Sequence, residues 1–168
     1  YTLKPFLTKL LKSYPNKLDK VVADAGYESE ENYVYLAENN LTSYIKPSNY
    51  EQSKTRKYKK EQEFRKSLVY DENQDKYISP EGKFFVRCKD RYDTKKSGYV
   101  SMSKVYRCFD WNKDGQKTKG IYIAETFQKY RKESLENIIS DQGIEERLNR
   151  SIQAEGAFSK IKSGLNYN

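Results

Sequence analysis

VVADAGY at Val21–Tyr27 decides how the rest of the chain reads. An apolar run ends abruptly in a carboxylate, Asp24, and a turn-forming Gly26 follows at once. That is how a core strand presents an acid at its carboxyl end. An Asp before Gly also serves as a turn or cap residue, so this position needs support from elsewhere in the chain.

Upstream, Leu3, Phe6, Leu7, Leu10, Leu11 and Tyr14 recur at helical spacing, which predicts an amphipathic helix ended by Pro15. The strand Lys20 to Ala23 follows. Downstream, Ser29 caps a second helix whose first turn carries Glu30 and Glu31, matching the positive helix N-terminus, with Tyr33, Leu36 and Ala37 inward. Asn39 and Asn40 suit its end. Thr42 to Ile45 is β-prone, and Pro47 stops it. Helix, strand, helix, strand is an α/β pattern with parallel strands.

From Ser48 to about Lys119 the chain turns polar, basic and tyrosine-rich, and this stretch reads as an insertion. Lys54, Arg56, Lys57, Lys59, Lys60, Arg65 and Lys66 lie close together, on either an exposed helix or a partly disordered arm. Lys76 to Cys88 reads as a hairpin around Pro80, Glu81 and Gly82, and Tyr99 to Phe109 adds strands. A helix is expected from Ala124 to Ile139, with Phe127, Tyr130, Leu135 and Ile138 on one side. Gly143 breaks the pattern, and a last helix covers Ile144 to Lys162. The expected divisions are 1–47 as the first part of a core, 48–119 as the insertion, and 120–168 as C-terminal helices of the core.

The 168 residues suffice for one domain with room for an insertion. Lys and Arg number 32 against 24 Asp and Glu, a net charge of +8, and the mean hydropathy is −1.05. Much of the chain therefore lies at a solvated or binding surface. The charge favours a polyanionic partner through counterion release. No window has the roughly 18 apolar residues of a membrane span. Cys88 and Cys108 stand far apart in a chain without histidine, so they read as two free thiols rather than zinc ligands. The chain starts in mid-helix pattern and its one Met is Met102, which suggests a piece of a longer reading frame.

A second acid stands out on the last helix. At about 100° per residue with Ile144 at zero, Leu148 and Ile152 fall near 40° and 80°, and Glu155 near 20°, in the middle of the apolar stripe. A carboxylate buried there must be paired, protonated or bound to a cation. Alternatively the stripe is solvated, and Glu155 pairs with Lys162 on the same line or with another cation. A strand-end Asp and a helix-borne Glu are also the usual oxygen ligands for Mg²⁺ in phosphoryl transfer. A third acid is normally needed. The loop Asp110 to Gln116 imitates the start of an EF-hand, but Ile121 stands where a bidentate Glu is required, so it reads as a polar turn. Tyrosines interleaved with Lys and Arg suit base stacking beside phosphate contacts. A plain solvated insertion explains the same composition.

VVADAGYESEENYVYL, TSYIKPSNYEQSK and RSIQAEGAFSKIK, in that order, resemble the DDE transposases of bacterial insertion sequences, in the group with a long insertion before the final Glu. The resemblance implies a partial RNase H-like α/β fold and an Asp-Asp-Glu site that uses Mg²⁺ (or Mn²⁺) to cut and join DNA at transposon ends. Asp24 matches the second acid, Glu155 the final Glu, and Lys162 the basic residue on the same helix; the first two would be catalytic metal ligands. Where relatives often carry Arg, Ser151 stands, with Arg150 beside it and Arg147 a turn earlier. Lys162, Arg147, Arg150, Lys46, Lys54, Arg56, Lys57, Lys59 and Lys60 are the expected DNA contacts. The family's first Asp belongs to a strand before the first helix, so the stretch alone is expected to be inactive. The implied partners are transposon-end and target DNA, with a homodimer for the full-length protein, in the bacterial cytoplasm at the nucleoid. A non-catalytic DNA-binding remnant and an RNase H-like nuclease without strand transfer are the rival readings.

Overall fold

The computed structural model describes residues 3–113, 115 and 117–164, with side chains described as far as residue 153. In chain order the elements are α1 (Leu3–Ser13), β1 (Lys20–Ala23), α2 (Glu30–Glu38), β2 (Thr42–Ile45), α3 (Arg56–Lys66), β3 (Val69–Asp71), β4 (Lys76–Ile78), β5 (Phe84–Arg87), β6 (Arg91–Thr94), β7 (Val100–Cys108), β8 (Lys119–Ile123), α4 (Glu125–Ile139) and α5 (Asp141–Gly164). The fold is mixed α/β with mostly antiparallel strands. It divides into two compact units, Tyr1–Ser48 with Lys129–Asn168, and Asn49–Gln128.

In the first unit β1 and β2 run parallel, Lys20 opposite Thr42 and Ala23 opposite Ile45. Ser29 caps α2 by accepting the Asn32 N–H, and Tyr33 and Leu36 are buried as the periodicity requires. Ala37 is exposed instead of inward. On α1 only Leu3 and Leu7 are buried, while Phe6 and Tyr14 face solvent. The helix is thus seated on a narrower stripe than its spacing suggests.

The outer edge of β2 meets α4 rather than another strand. Ser134, fully buried, accepts the Ile45 N–H at 3.0 Å and donates to Ile45 O at 2.9 Å. Asn137 Nδ2 donates to Ser43 O at 3.0 Å. Helix side chains thus take the place of a neighbouring strand.

The expected break at Gly143 lies three residues earlier. Ser140 ends α4 and starts α5, its Oγ accepting the Gly143 N–H at 3.1 Å in the manner of an N-cap. Gly143 is inside α5, and it is required there because a Cβ would sit 2.0 Å from Asn137 O. Of the two readings of the apolar stripe of α5, the described residues fit the solvated one. Ile144, Leu148 and Ile152 are exposed, not buried, because the helix turns its polar side to β1.

The second unit is an antiparallel sheet in the order β3-β4-β5-β7-β6, with β8 also on β7. Phe85, Tyr106, Cys108, Trp111 and Ile121 form its core, and Phe64 of α3 packs against them. The basic segment is therefore a helix and not a disordered arm. Thr55 caps it by accepting the Tyr58 N–H. The β4–β5 hairpin turns at Gly82, whose φ of +74° needs glycine.

Candidate active site

Asp24 leaves β1 with extended backbone and starts a short 3₁₀ turn, Ala25–Tyr27. Its carbonyl accepts the Tyr27 N–H at 3.0 Å, but its carboxylate makes no cap bond. The side chain is thus not used as a turn residue. Gly26 has an ordinary backbone, and nothing lies within 4 Å of where a Cβ would stand, so the turn would accept other residues there.

The carboxylate is instead held by α5. Arg150 Nη1 donates to Asp24 Oδ1 at 2.8 Å, and Nη2 donates to Oδ2, a bidentate pair. One turn earlier Glu146 meets Lys20 at 2.6 Å, and that hydrogen bond raises the Lys20 pKa. Lys20 and Asp24 share a side of β1, and Glu146 and Arg150 share a side of α5. Two ion pairs of opposite polarity therefore fix the direction and register of the helix along the strand. Lys46 emerges at the same carboxyl end, its N–H donating to Ala23 O at 3.3 Å.

Four residues past Asp24 lies an acid that sequence reasoning missed. The side chain of Glu28 is 1% exposed and accepts from Arg131 Nε and Nη2 at 2.7 and 2.9 Å, from Ser48 N–H at 2.8 Å and from Tyr33 OH at 3.1 Å. Burial pushes its carboxyl up, but the Arg131 and Ser48 hydrogen bonds outweigh it and hold the pKa below the ordinary value. Burial, and then the neighbouring Glu28 charge, push the Tyr33 phenol far up. Glu28 thus ties α2, α4 and the end of β2 together. Its only sequence signal is its position before the Ser29 cap.

Among the described residues no group of three His, Cys, Asp or Glu could hold a metal ion. Mg²⁺ takes near-octahedral oxygen ligands, and here Asp24 offers one carboxylate, with both oxygens on a guanidinium. The described residues do not by themselves make a metal centre. Glu155 and Lys162 fall on α5, but their side chains lie outside the described residues. In the Asp110 loop, Cys108 Sγ donates to Asp110 Oδ1 at 3.0 Å and Lys83 Nζ to Oδ2 at 3.0 Å. Those two hydrogen bonds hold the Asp110 carboxyl below its usual range.

The expected DNA contacts divide into committed and uncommitted cations. Arg150 is engaged by Asp24, and Arg147 donates to Gly143 O of its own helix at 3.3 Å. Lys54 pairs with Glu51 at 2.8 Å and lies over the Tyr50 ring. Arg56, Lys57, Lys59 and Lys60 are exposed on the first two turns of α3 and have no ion pair or hydrogen bond from their side chains among the described residues. Cations at a helix N-terminus oppose the helix dipole. Their unit holds 19 Lys and Arg against 12 Asp and Glu, most of the chain's net +8.

Residues 78–168, more than half the chain, match the family model described as a transposase DDE domain. The chain belongs to the transposase DDE domain family. The matched stretch contains Arg147, Arg150, Glu155 and Lys162, while Asp24 and α3 precede it. No curated protein and no solved structure matches the chain. No described helix is long and apolar enough to cross a membrane.

Proposed function

We propose that this DDE-domain chain belongs to an enzyme that cuts and joins DNA at insertion-sequence ends, with Asp24 and Glu155 as carboxylate ligands for Mg²⁺ or Mn²⁺ in an RNase H-like core. One observation carries the reading: Lys20–Glu146 and Asp24–Arg150 anchor the helix that bears Glu155 at the strand end that bears Asp24. Position 155 lies about 7.5 Å beyond Arg150 along the helix axis and about 140° around it. For both acids to share a cation, Arg150 has to release Asp24 and α5 has to turn. When bound, the ion would supply Lewis acidity at phosphate oxygens. The uncommitted cations of α3 would contact DNA phosphates, and Lys162 would do so from the far end of α5.

The test is Asp24→Asn and Glu155→Gln in the intact transposase, scored for transposon-end cleavage, strand transfer and DNA binding. Loss of both reactions with binding kept supports the metal roles. Hydrolysis without joining in the parent protein would make it a nuclease. The bidentate Asp24–Arg150 pair favours a second reading, a DNA-binding protein without turnover, because it occupies the acid that catalysis needs. Cleavage by the parent protein in Mg²⁺ or Mn²⁺ would rule that reading out.

A further inference from the structure

The register of the second unit sets one element apart. Arg87 lies opposite Tyr106, and the Cys88 N–H donates to Val105 O at 2.8 Å. From Arg91 onward the partners become Ser103, Met102, Ser101 and Val100. Lys89 and Asp90 therefore stand together opposite the single residue Lys104, which is a β-bulge, a device that bends and twists a strand. β8 ends at Ile123, also opposite Lys104. Beyond the bulge, β6 and the first half of β7 have only each other as partners among the described strands.

This two-stranded ribbon is closed by a tight turn. The Gly98 N–H donates to Lys95 O at 3.0 Å and the Lys95 N–H to Tyr99 O at 2.8 Å, with Gly98 at φ +86°. One face carries Tyr92 opposite Met102 and Thr94 opposite Val100. Tyr92 is 63% exposed, Val100 51% and Met102 38%. On the other face Arg91 donates to Asp93 at 3.0 Å. Lys95 and Lys96 at the tip are exposed and have no side-chain ion pair or hydrogen bond among the described residues. An isolated hairpin is marginal in water, so an apolar row in solvent at its end does not serve stability. It fits contact with a partner.

Charge and width select the partner. The tip is cationic and the unit carries the chain's positive surplus, which suits a polyanion. The major groove of B-DNA, about 12 Å wide, admits a two-stranded β-ribbon and offers thymine methyl groups to apolar side chains. We propose that the β6–β7 ribbon enters the major groove of duplex DNA, with Lys95 and Lys96 at the flanking phosphates and the Tyr92–Met102 row against base edges. This rests on the DNA-binding reading above, and it adds the element and the groove.

The experiment measures binding of the full chain to a labelled duplex by fluorescence anisotropy across a salt series. The proteins compared are the parent, Lys95→Ala with Lys96→Ala, Tyr92→Ala, and Lys59→Glu with Lys60→Glu on α3; thermal unfolding checks that each is folded. Loss of two phosphate contacts should lower the salt slope by about 1.8 in the tip variant. Methyl green, a major-groove ligand, should compete with the parent and much less with Tyr92→Ala, while the minor-groove ligand netropsin should compete with neither. Ribbon variants that bind like the parent, beside an α3 variant that binds poorly, would overturn the ribbon proposal and leave DNA binding intact. Competition by netropsin in place of methyl green would also overturn it. A parent chain that binds no duplex would sink both.

Discussion

The two units contain the same number of acids, 12 each, but 13 cations in one and 19 in the other, and they use those cations differently. In the first unit Lys20, Arg131 and Arg150 are committed to acids far away in sequence, and each pair joins separate elements. In the second, Arg56, Lys57, Lys59 and Lys60 of α3 and Lys95 and Lys96 of the β6–β7 tip are exposed without a side-chain ion pair or hydrogen bond among the described residues, while a Phe, Tyr and Trp core holds the sheet. The difference teaches that net charge alone says little about a binding surface. What matters is how many charges the fold has left unspent.

The contrast breaks most decisively at the proposed site. Asp24→Asn or Glu155→Gln in the intact transposase should lower end cleavage by at least about a thousandfold with DNA affinity nearly unchanged; residual turnover near the parent level would remove that residue from the chemistry.

Glu28 tests whether the first unit depends on its ion pairs. Glu28→Gln removes the negative charge that Arg131, Ser48 and Tyr33 donate to and should cost about 1–3 kcal/mol, measured by urea unfolding. The pH dependence follows from the lowered pKa. The stabilisation is complete above the ordinary glutamate range and is lost as pH falls through the folded-state value, so the parent should weaken on acidification more than the variant does.

Gly143→Ala separates packing from propensity. In a free helix the change gains about 1 kcal/mol, but here the methyl meets Asn137 O and Ile138 Cα. A net loss of about 1–3 kcal/mol is expected from thermal unfolding. A gain would mean that the α4–α5 corner is looser than its backbone indicates.

The smallest effect sharpens the contrast from the other side. Lys59→Glu with Lys60→Glu should leave stability within about 0.5 kcal/mol. Duplex affinity should fall, and the salt slope should drop by about 1.8. A large stability change would show that these side chains are structural after all.

Much of the first unit could be read from sequence because its signals are local. A β-branched run, a Ser cap followed by acids, and a second short strand fix β1, α2 and β2 within a few residues each. Glu28 and Ser134 could not be read that way, since each is polar, sits among other polar residues, and owes its role to partners about 90 or more positions away. On α5 the periodicity was legible and its orientation was not. An apolar stripe says which residues share a side, but the side that meets β1 is the polar one, where Glu146 and Arg150 pair with Lys20 and Asp24. The position of Asp24 was readable; its guanidinium partner was not.

The clamp of Ser134 and Asn137 on β2 has a consequence for misassembly. An open strand edge is a template on which a foreign strand can zip up, and natural sheets usually guard it with charge, proline or a bulge. Here a hydroxyl and a carboxamide already occupy the carbonyls of Ser43 and Ile45 and the N–H of Ile45. Replacing them with Ala and Leu would uncap that edge, and the expected symptom is aggregation before any loss of helix.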